Sequence, residues 1–382
     1  MSKPDNIHSE AKAEKKARRM TWISRIVLWL NYFAVASLLL SYLAPYVSPA
    51  DFWPIAFFGL AYPYLLLLNA LFVIYWLLRW RIQIILPLIA ILIGINRFPS
   101  VLNFHFGEEK PGSGSFGVMS WNVRLFDLYN WSKNKETRNK MFSFLRSENP
   151  AVLCLQEFFH GEEGYFPTLD TLQQMLAAKN VYYQYTLTLR GYQHFGIATF
   201  SSFPMVNKGE IRFETRTNNI CIYTDLLVNS DTIRVYNMHL QSIQMGYADY
   251  KFVEDLESNK EVDEIEGSKN LLRRLKRAFV RRAPQAEMVA EHIRKCRYPV
   301  IVCGDFNDTP FSYTYNTVKG NLNDAFIECG NGFGKTYNGI FPSFRIDYIL
   351  HSGSLLPSGY YTYSESYSDH FPVSCFFELK KP

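Results

Sequence analysis

Nowhere in the 382 residues do two cysteines stand at a CxxC spacing, which removes the ligand pattern of zinc ribbons and of thiol-redox sites. The six cysteines fall mostly inside apolar, strand-like runs, such as Cys154 in "AVLCLQE" and Cys303 in "VIVCGD". A free thiol packs there as a small hydrophobe, so no disulfide framework is expected. Charge of one sign is also scarce. The 40 Lys+Arg against 35 Asp+Glu leave a net +5, too mild for a nucleic-acid binder that works by bulk charge. No internal repeat is visible. No small-residue cleavage site separates the apolar runs near the start, so they are not a cleavable signal peptide.

Apolar length is what the chain has in excess. From Ile23 to about Leu102 nearly every residue is apolar. The runs "ISRIVLWLNYFAVASLLLSYLAPYV" and "FWPIAFFGLAYPYLLLLNALFVIYWLL" each exceed the about 20 residues needed to cross a bilayer. A third, "IQIILPLIAILIGI", reaches spanning length only by continuing through "FPSVL" with Arg97 snorkelling to the interface. The expectation is a transmembrane region over 23–104 with about three helices, two spans and a re-entrant piece being the alternative. Lys12, Lys15, Lys16, Arg18 and Arg19 make 1–22 a basic tail, the loop around "SPAD" carries no positive residue, and Arg79 and Arg81 mark the next loop. Positive residues favour the cytoplasmic side. A multi-pass protein in the lipid bilayer is therefore expected, its N-terminus inside and everything after about residue 105 extracytoplasmic. Two spans would reverse that.

Residues 105–117, with "GEEKPGSGSFG", have the composition of a linker. The remainder, 118–382, suits a single α/β unit. Strand-like runs ("FGVMSWNVRLF", "AVLCLQE", "GIATFSSFP", "TIRVYNMHLQ", "PVIVCGDFN", "FRIDYILHS", "VSCFFELK") outnumber helical ones ("ETRNKMFSFLRSENP", "TLDTLQQMLAAKN"). "LLRRLKRAFVRRAPQAEMVAEHIRKC" has helical periodicity interrupted by Pro284. Many strands and few helices fit sheet packed on sheet with helices outside.

Strand after strand ends in a polar residue: Asn122, Glu157, His239, then Asp305 and Asn307, Asp347, and finally Asp369 and His370. One Asp after a strand is an ordinary turn cap, and one His is commonly structural. Six strands ending this way exceed what turn chemistry explains. The set holds hard oxygens for Mg²⁺, amides to orient phosphate, and a His beside an Asp.

The motifs "SWNV", "LCLQE", "NMHL", "CGDFN", "RIDYI" and "SDHFP", in this order, resemble those of the endonuclease/exonuclease/phosphatase superfamily, over Phe116 to the C-terminus. The resemblance implies a deoxyribonuclease-I-like, four-layered α/β sandwich with its active site where strand ends converge. It implies a hydrolase that cleaves a phosphodiester (nucleic acid or lipid headgroup) or a phosphomonoester by metal-activated water attack, with Mg²⁺ or Mn²⁺ as cofactor. Carried onto matching positions, Glu157 would be the principal metal ligand, helped by Asn122 and Asp369. Asp305 would orient or deprotonate the water, and Asn307 would hold the phosphate or that water. His370, steadied by Asp347, would balance charge on phosphorus, and His239 would contact a phosphoryl oxygen or assist the leaving group.

Arg124 and Arg345 are further substrate-binding candidates, each balanced by an ordinary structural explanation, and His194 is a third, whose position reads more simply as a loop residue. After "LQE" comes "FF", where abasic-site endonucleases tend to have Thr-Lys, and "NMHL" has His where they use Asn. The insert from Tyr247 to Arg282 contains the basic, amphipathic "KNLLRRLKRAFVRRA", which suits an anionic membrane surface, a phosphate backbone or plain solvation. The competing functional class is a membrane-tethered binding module that keeps the fold without catalysis. It predicts damage to the polar set, and the sequence has none.

Overall fold

The computed structural model describes residues 21–105, 111–112, 114–162, 166–213, 217–243, 264–339 and 345–380. The expected basic tail up to residue 20, part of the linker, and 247–263 of the charged insert lie outside the described residues.

Helix α1 (Trp22–Leu43) opens with Thr21 as N-cap, its hydroxyl accepting the Ser24 N–H at 3.2 Å. Among the described helices, it alone is unbroken, long and apolar enough to cross a membrane. Short α2 (Pro49–Phe52) leads into α3 (Pro54–Leu60) and α4 (Tyr62–Leu78), a pair bent by 64°. Pro63 lacks the N–H that would continue the α3 ladder, which accounts for the break. The third apolar segment becomes a short helix, Ile82–Ile93, whose α-helical part is α5 (Ile85–Ile93). These helices invert the soluble pattern. Trp22, Trp29, Phe33 and Leu78 are more than 70% exposed, whereas Asn31, Ser37, Ser41 and Asn69 are buried. Asn69 donates from α4 to the Ala34 carbonyl of α1 at 3.1 Å, a polar contact across the helix pair.

The rest forms two six-stranded mixed sheets. In chain order come β1 (Phe116–Asn122), α6 (Thr137–Glu148), β2 (Val152–Gly161), α7 (Thr168–Met175), β3 (Asn180–Leu189) and β4 (Gln193–Ser201). Then follow β5 (Met205–Arg212), β6 (Ile220–Val228), β7 (Asp231–His239), α8 (Glu264–Arg294), β8 (Val300–Asp305) and α9 (Tyr313–Lys319). Last are β9 (Asn323–Asp324), α10 (Ala325–Cys329), β10 (Asp347–His351), β11 (Leu355–Thr362) and β12 (Val373–Leu379). One sheet runs β11-β12-β1-β2-β4-β3, the other β5-β6-β7-β8-β10-β9.

Period-two alternation sorts the side chains into layers. In β2, Val152 and Cys154 join the core between the sheets, while Leu153 and Leu155 face the outer cluster with Met141 and Leu145 of α6 and Leu172 of α7. In β8, Ile301 and Cys303 face inward and Val300 and Val302 pack outward near Ala286 and Val289 of α8. Helix, sheet, sheet, helix is therefore the layering, a deoxyribonuclease-I-like α/β sandwich. All the cysteines are free thiols, five of them buried. Helix α8 runs through Pro284 without ending, because that residue sits on the exposed face, where the orphaned carbonyl can turn to water.

The apolar helices meet the sandwich at one end. Phe279 of α8 meets Phe57 edge-on (5.3 Å), and Asn316 of α9 donates to the Pro45 carbonyl at 3.0 Å.

Candidate active site

Three strand tips lie abreast in the second sheet: His239 of β7 is in register with Asp305 of β8, which pairs with Asp347 of β10. Gly304 makes this alignment possible. It sits at φ +139°, and a Cβ there would lie 2.0 Å from the Met238 carbonyl oxygen of β7. The first sheet supplies Asn122 at the end of β1, whose side-chain amide crosses to Asp305 Oδ2 at 3.1 Å.

Asp305 is the hub. Its Oδ2 also accepts from Asn307 Nδ2 (3.0 Å) and its Oδ1 from the Asn307 backbone N–H (2.8 Å). Asn307 achieves this at φ +54°, a left-handed conformation that Asn tolerates better than most residues. His370 comes from the loop before β12. Its Nδ1 is 2.9 Å from Asp347 Oδ2, and its Nε2 points to Asp305 Oδ2 at 3.7 Å. The Asp347 bond assigns the proton to Nδ1 and leaves Nε2 for the cleft. Ser368 Oγ accepts the His370 N–H and donates to the Asn122 carbonyl, fixing this loop on β1.

Glu157 stands on a bulge. Pairing of β2 with β4 skips between Leu155 and Phe158, and Glu157 takes φ +48°. Such a left-handed residue costs about 1–3 kcal/mol, strain that natural proteins tend to keep at functional sites. Its side chain, 35% exposed, accepts no hydrogen bond from the described residues. His239 Nε2 lies 3.8 Å from Glu157 Oε1 and 3.7 Å from Asp305 Oδ2, buried and without a hydrogen-bond partner among the described residues.

The electrostatics follow from this crowding. Burial pushes the Asp305 carboxyl above its ordinary range, with His370 opposing and Asp347 adding to the rise. Enclosure does the same to Glu157, opposed by His239 and reinforced by Asp369. For His370, burial alone would lower the imidazole, but Asp347 and Asp305 overcome it and hold the group well above its ordinary value.

Two groupings could hold a cation. Ligand atoms of Asp305, Asp347 and His370 lie within 4.8 Å of one another. There, however, Asp347 Oδ2 and His370 Nδ1 are engaged with each other at 2.9 Å, and only Asp347 Oδ1 is left buried without a hydrogen-bond partner among the described residues. Glu157 has free carboxylate oxygens, like-charged neighbours in Asp369 and Asp305, and exposure to the cleft, which suits a hard, oxygen-preferring cation better.

Beside this centre is a cleft of about 290 Å³ lined by Arg124, Trp131, Tyr337 and Asp369. Arg124 lies 4.6 Å over Trp131 and 3.4 Å from Asp369. The other two basic candidates belong elsewhere. His194 contacts Thr188 and Glu162 and stacks on Tyr185. Arg345 is buried against Asp324 at 2.7 Å and donates to the Ser100 carbonyl. Sequence reasoning missed Gln156 and Asn237, whose amides bridge the two sheets at 2.7 Å. The signal was present: Asn237 lies two residues before His239, on the same face of β7. Trp131 and Tyr337 had none, since loops bring them to the cleft.

Converging carboxylates, amides and imidazoles at the tips of two packed sheets define an α/β-sandwich protein with a phosphoesterase-type cleft. Residues 119–370 match the Endonuclease/Exonuclease/phosphatase family, and the chain belongs to it. Residues 24–101 match a domain of unknown function (DUF8431). The comparison with curated proteins gave no match. Among solved structures, the human Nocturnin catalytic domain with bound sulfate anion aligns at TM-score 0.51 and 19% identity, over 72% of this chain and 97% of that one. An endonuclease/exonuclease/phosphatase from Bacteroides vulgatus aligns at TM-score 0.49 and 15% identity, over 70% and 99%. Another from Beutenbergia cavernae DSM 12333 gives 0.49 and 16%, over 69% and 72%.

Proposed function

We propose that the chain is a membrane-anchored, Mg²⁺-dependent phosphoesterase that hydrolyses a phosphoester by attack of water in the cleft between the sheets. The observation that carries this is the convergence on Asp305 of Asn122, Asn307, His239 and the His370–Asp347 pair. Asn122 and Asn307 fix the Asp305 carboxylate, and burial makes it a stronger base, so it takes the proton of the attacking water. As the water oxygen bonds to phosphorus, negative charge grows on the phosphoryl oxygens. His370, kept charged by Asp347, presents Nε2–H to that charge. Asn307 gives its two Nδ2 hydrogens to Asp305 Oδ2 and the Leu240 carbonyl, which leaves Oδ1 to accept from the attacking water. The unpaired His239 Nε2 assists the departing oxygen when the P–O ester bond breaks. Glu157, Asn122 and Asp369 would hold Mg²⁺, which supplies charge neutralisation at the phosphate when bound.

The membrane reading rests on the inverted polarity of the helices. The sandwich packs at the C-terminal end of α1 and the N-terminal end of α4, away from Arg25, Arg79 and Arg81. Basic residues at the far end of the bundle are the support for an extracytoplasmic catalytic domain; by length, α1 and the bent α3–α4 pair are the candidate passages.

The test uses the full chain in lipid nanodiscs. Bis(p-nitrophenyl) phosphate, plasmid DNA and phospholipid vesicles are offered side by side, with Mg²⁺ or with chelator. Mg²⁺-dependent turnover of at least one of them, lost in Asp305→Asn, is expected. Equal turnover by Asp305→Asn, or no turnover of any, would overturn the reading.

A further inference from the structure

We infer that the N-terminal half of α8 is an interfacial arm that lies on an anionic lipid surface beside the helical bundle. This rests on the reading of the bundle as membrane-embedded, though not on catalysis. After Glu264 and Glu266 in its first turn, the helix carries seven basic residues and no acidic one between Lys269 and Arg282. Lys269, Arg273, Lys276, Arg277 and Arg281 are exposed.

Position decides what this charge faces. Leu272, Lys276 and Phe279 are spaced by four and three, so they share one helix face. Two of them touch the bundle: Lys276 Nζ lies 4.7 Å over the Trp53 ring, and Phe279 meets Phe57 edge-on. The third, Leu272, is 50% exposed one turn further out on that same face. The surface that docks on the bundle thus continues past it, where lipid would surround the bundle.

The residues at that boundary have the matching chemistry. Phe52 and Trp53 of the α2–α3 corner are both partly exposed, as aromatics are at the headgroup level. Leu272 would enter the interface, and Lys269, Arg273 and Lys276 would meet anionic headgroups. Arg282, in contrast, is buried, with Nη1 2.5 Å from Asp308 in the loop that follows Asp305 and Asn307. The same helix therefore connects the lipid-facing arm to the catalytic loop, and lipid composition would be sensed beside the site.

The experiment places a nitroxide at Leu272→Cys in the full chain, reconstituted into nanodiscs of phosphatidylcholine alone or mixed with phosphatidylglycerol. Collision with a water-soluble nickel chelate and with oxygen is read by electron paramagnetic resonance. The expectation is a drop in nickel accessibility of about twofold or more in the anionic discs, reversed by high salt and by R273E/K276E/R277E. Equal nickel accessibility in both disc types, in a chain that inserts, overturns this inference alone. Failure of the chain to insert into any disc overturns the membrane reading and the inference together. A lysine-to-glutamine set, K269Q/K276Q, guards against misfolding of the charge reversals and is expected to give an intermediate effect.

Discussion

The rings of Tyr62 and Phe311 stack face to face, with centroids 3.4 Å apart and planes 13° from parallel. Tyr62 opens α4 of the apolar bundle, and Phe311 follows Asp305 by six residues. The segment between them in the site is gripped along its length. Asp308 pairs with Arg282 and its carbonyl accepts from Tyr348 Oη at 2.8 Å, while a Cβ on Gly59 would come within 2.4 Å of the Phe311 carbonyl oxygen. Replacing Phe311 by Ala removes a fully buried ring and is expected to cost about 3 kcal/mol or more. Thermal unfolding of the full chain in detergent checks this, with Phe311→Leu recovering part of the loss. An unchanged melting temperature would mean that the bundle does not hold this loop.

The His370–Asp347 pair sets a pH limit. The imidazole is held above its unfolded value by Asp347 and Asp305 against the effect of burial. Its stabilising contribution is therefore complete below the ordinary His value of about 6.5 and is lost as pH rises through the raised one. Activity that depends on the imidazolium should fall over the same alkaline range. In Asp347→Asn the alkaline limb should move toward lower pH. A pH–rate profile unchanged in that variant would remove His370 from the proposed role.

Glu157 offers a test of the metal site that needs no substrate. Glu157→Gln keeps the shape of the bulge but deletes the charge, and Mg²⁺ or Mn²⁺ affinity should fall by about 10-fold or more. Isothermal titration against the unaltered chain measures it. Asp347→Asn should change that affinity far less, because Asp347 is engaged with His370. The reverse ranking would move the cation to the Asp305, Asp347 and His370 grouping.

Arg345 separates structural from substrate roles. Its guanidinium is buried against Asp324, which also accepts from Tyr315 Oη at 2.7 Å. Arg345→Met leaves that carboxylate without its charged partner and should destabilise by about 3 kcal/mol. At a temperature where the variant is folded, KM should be unchanged. A raised KM with unaltered stability would restore Arg345 to the substrate.

Much of the site was legible because it is written at strand tips. Asn122, His239, Asp305 and Asp347 each end or begin an apolar run, and register alone brings His239, Asp305 and Asp347 abreast. What resisted reading depends on contacts distant in sequence. Arg345 could not be placed without Asp324, which sits in a two-residue strand that no periodicity marks. Glu157 was identifiable as a residue, but not the left-handed bulge that carries it. Phe311 resembled any loop aromatic, since its partner is about 250 positions away in the bundle. Pro284 suggested a helix break, and only its solvent-facing position explains why α8 continues.

Asn103 lies in the gap between the segments 24–101 and 119–370 that the two families recognise. Its side-chain amide nevertheless reaches the Phe326, Ile327 and Gly330 carbonyls at 2.9 Å, and its backbone exchanges hydrogen bonds with Gly332. The last residues of the segment expected to be transmembrane thus close the end of α10. Recombination that joined this catalytic unit to a foreign anchor at the gap would discard those bonds along with the Tyr62 stack. A catalytic unit cut from its own bundle would bare the end of α10 and the Phe311 ring at once.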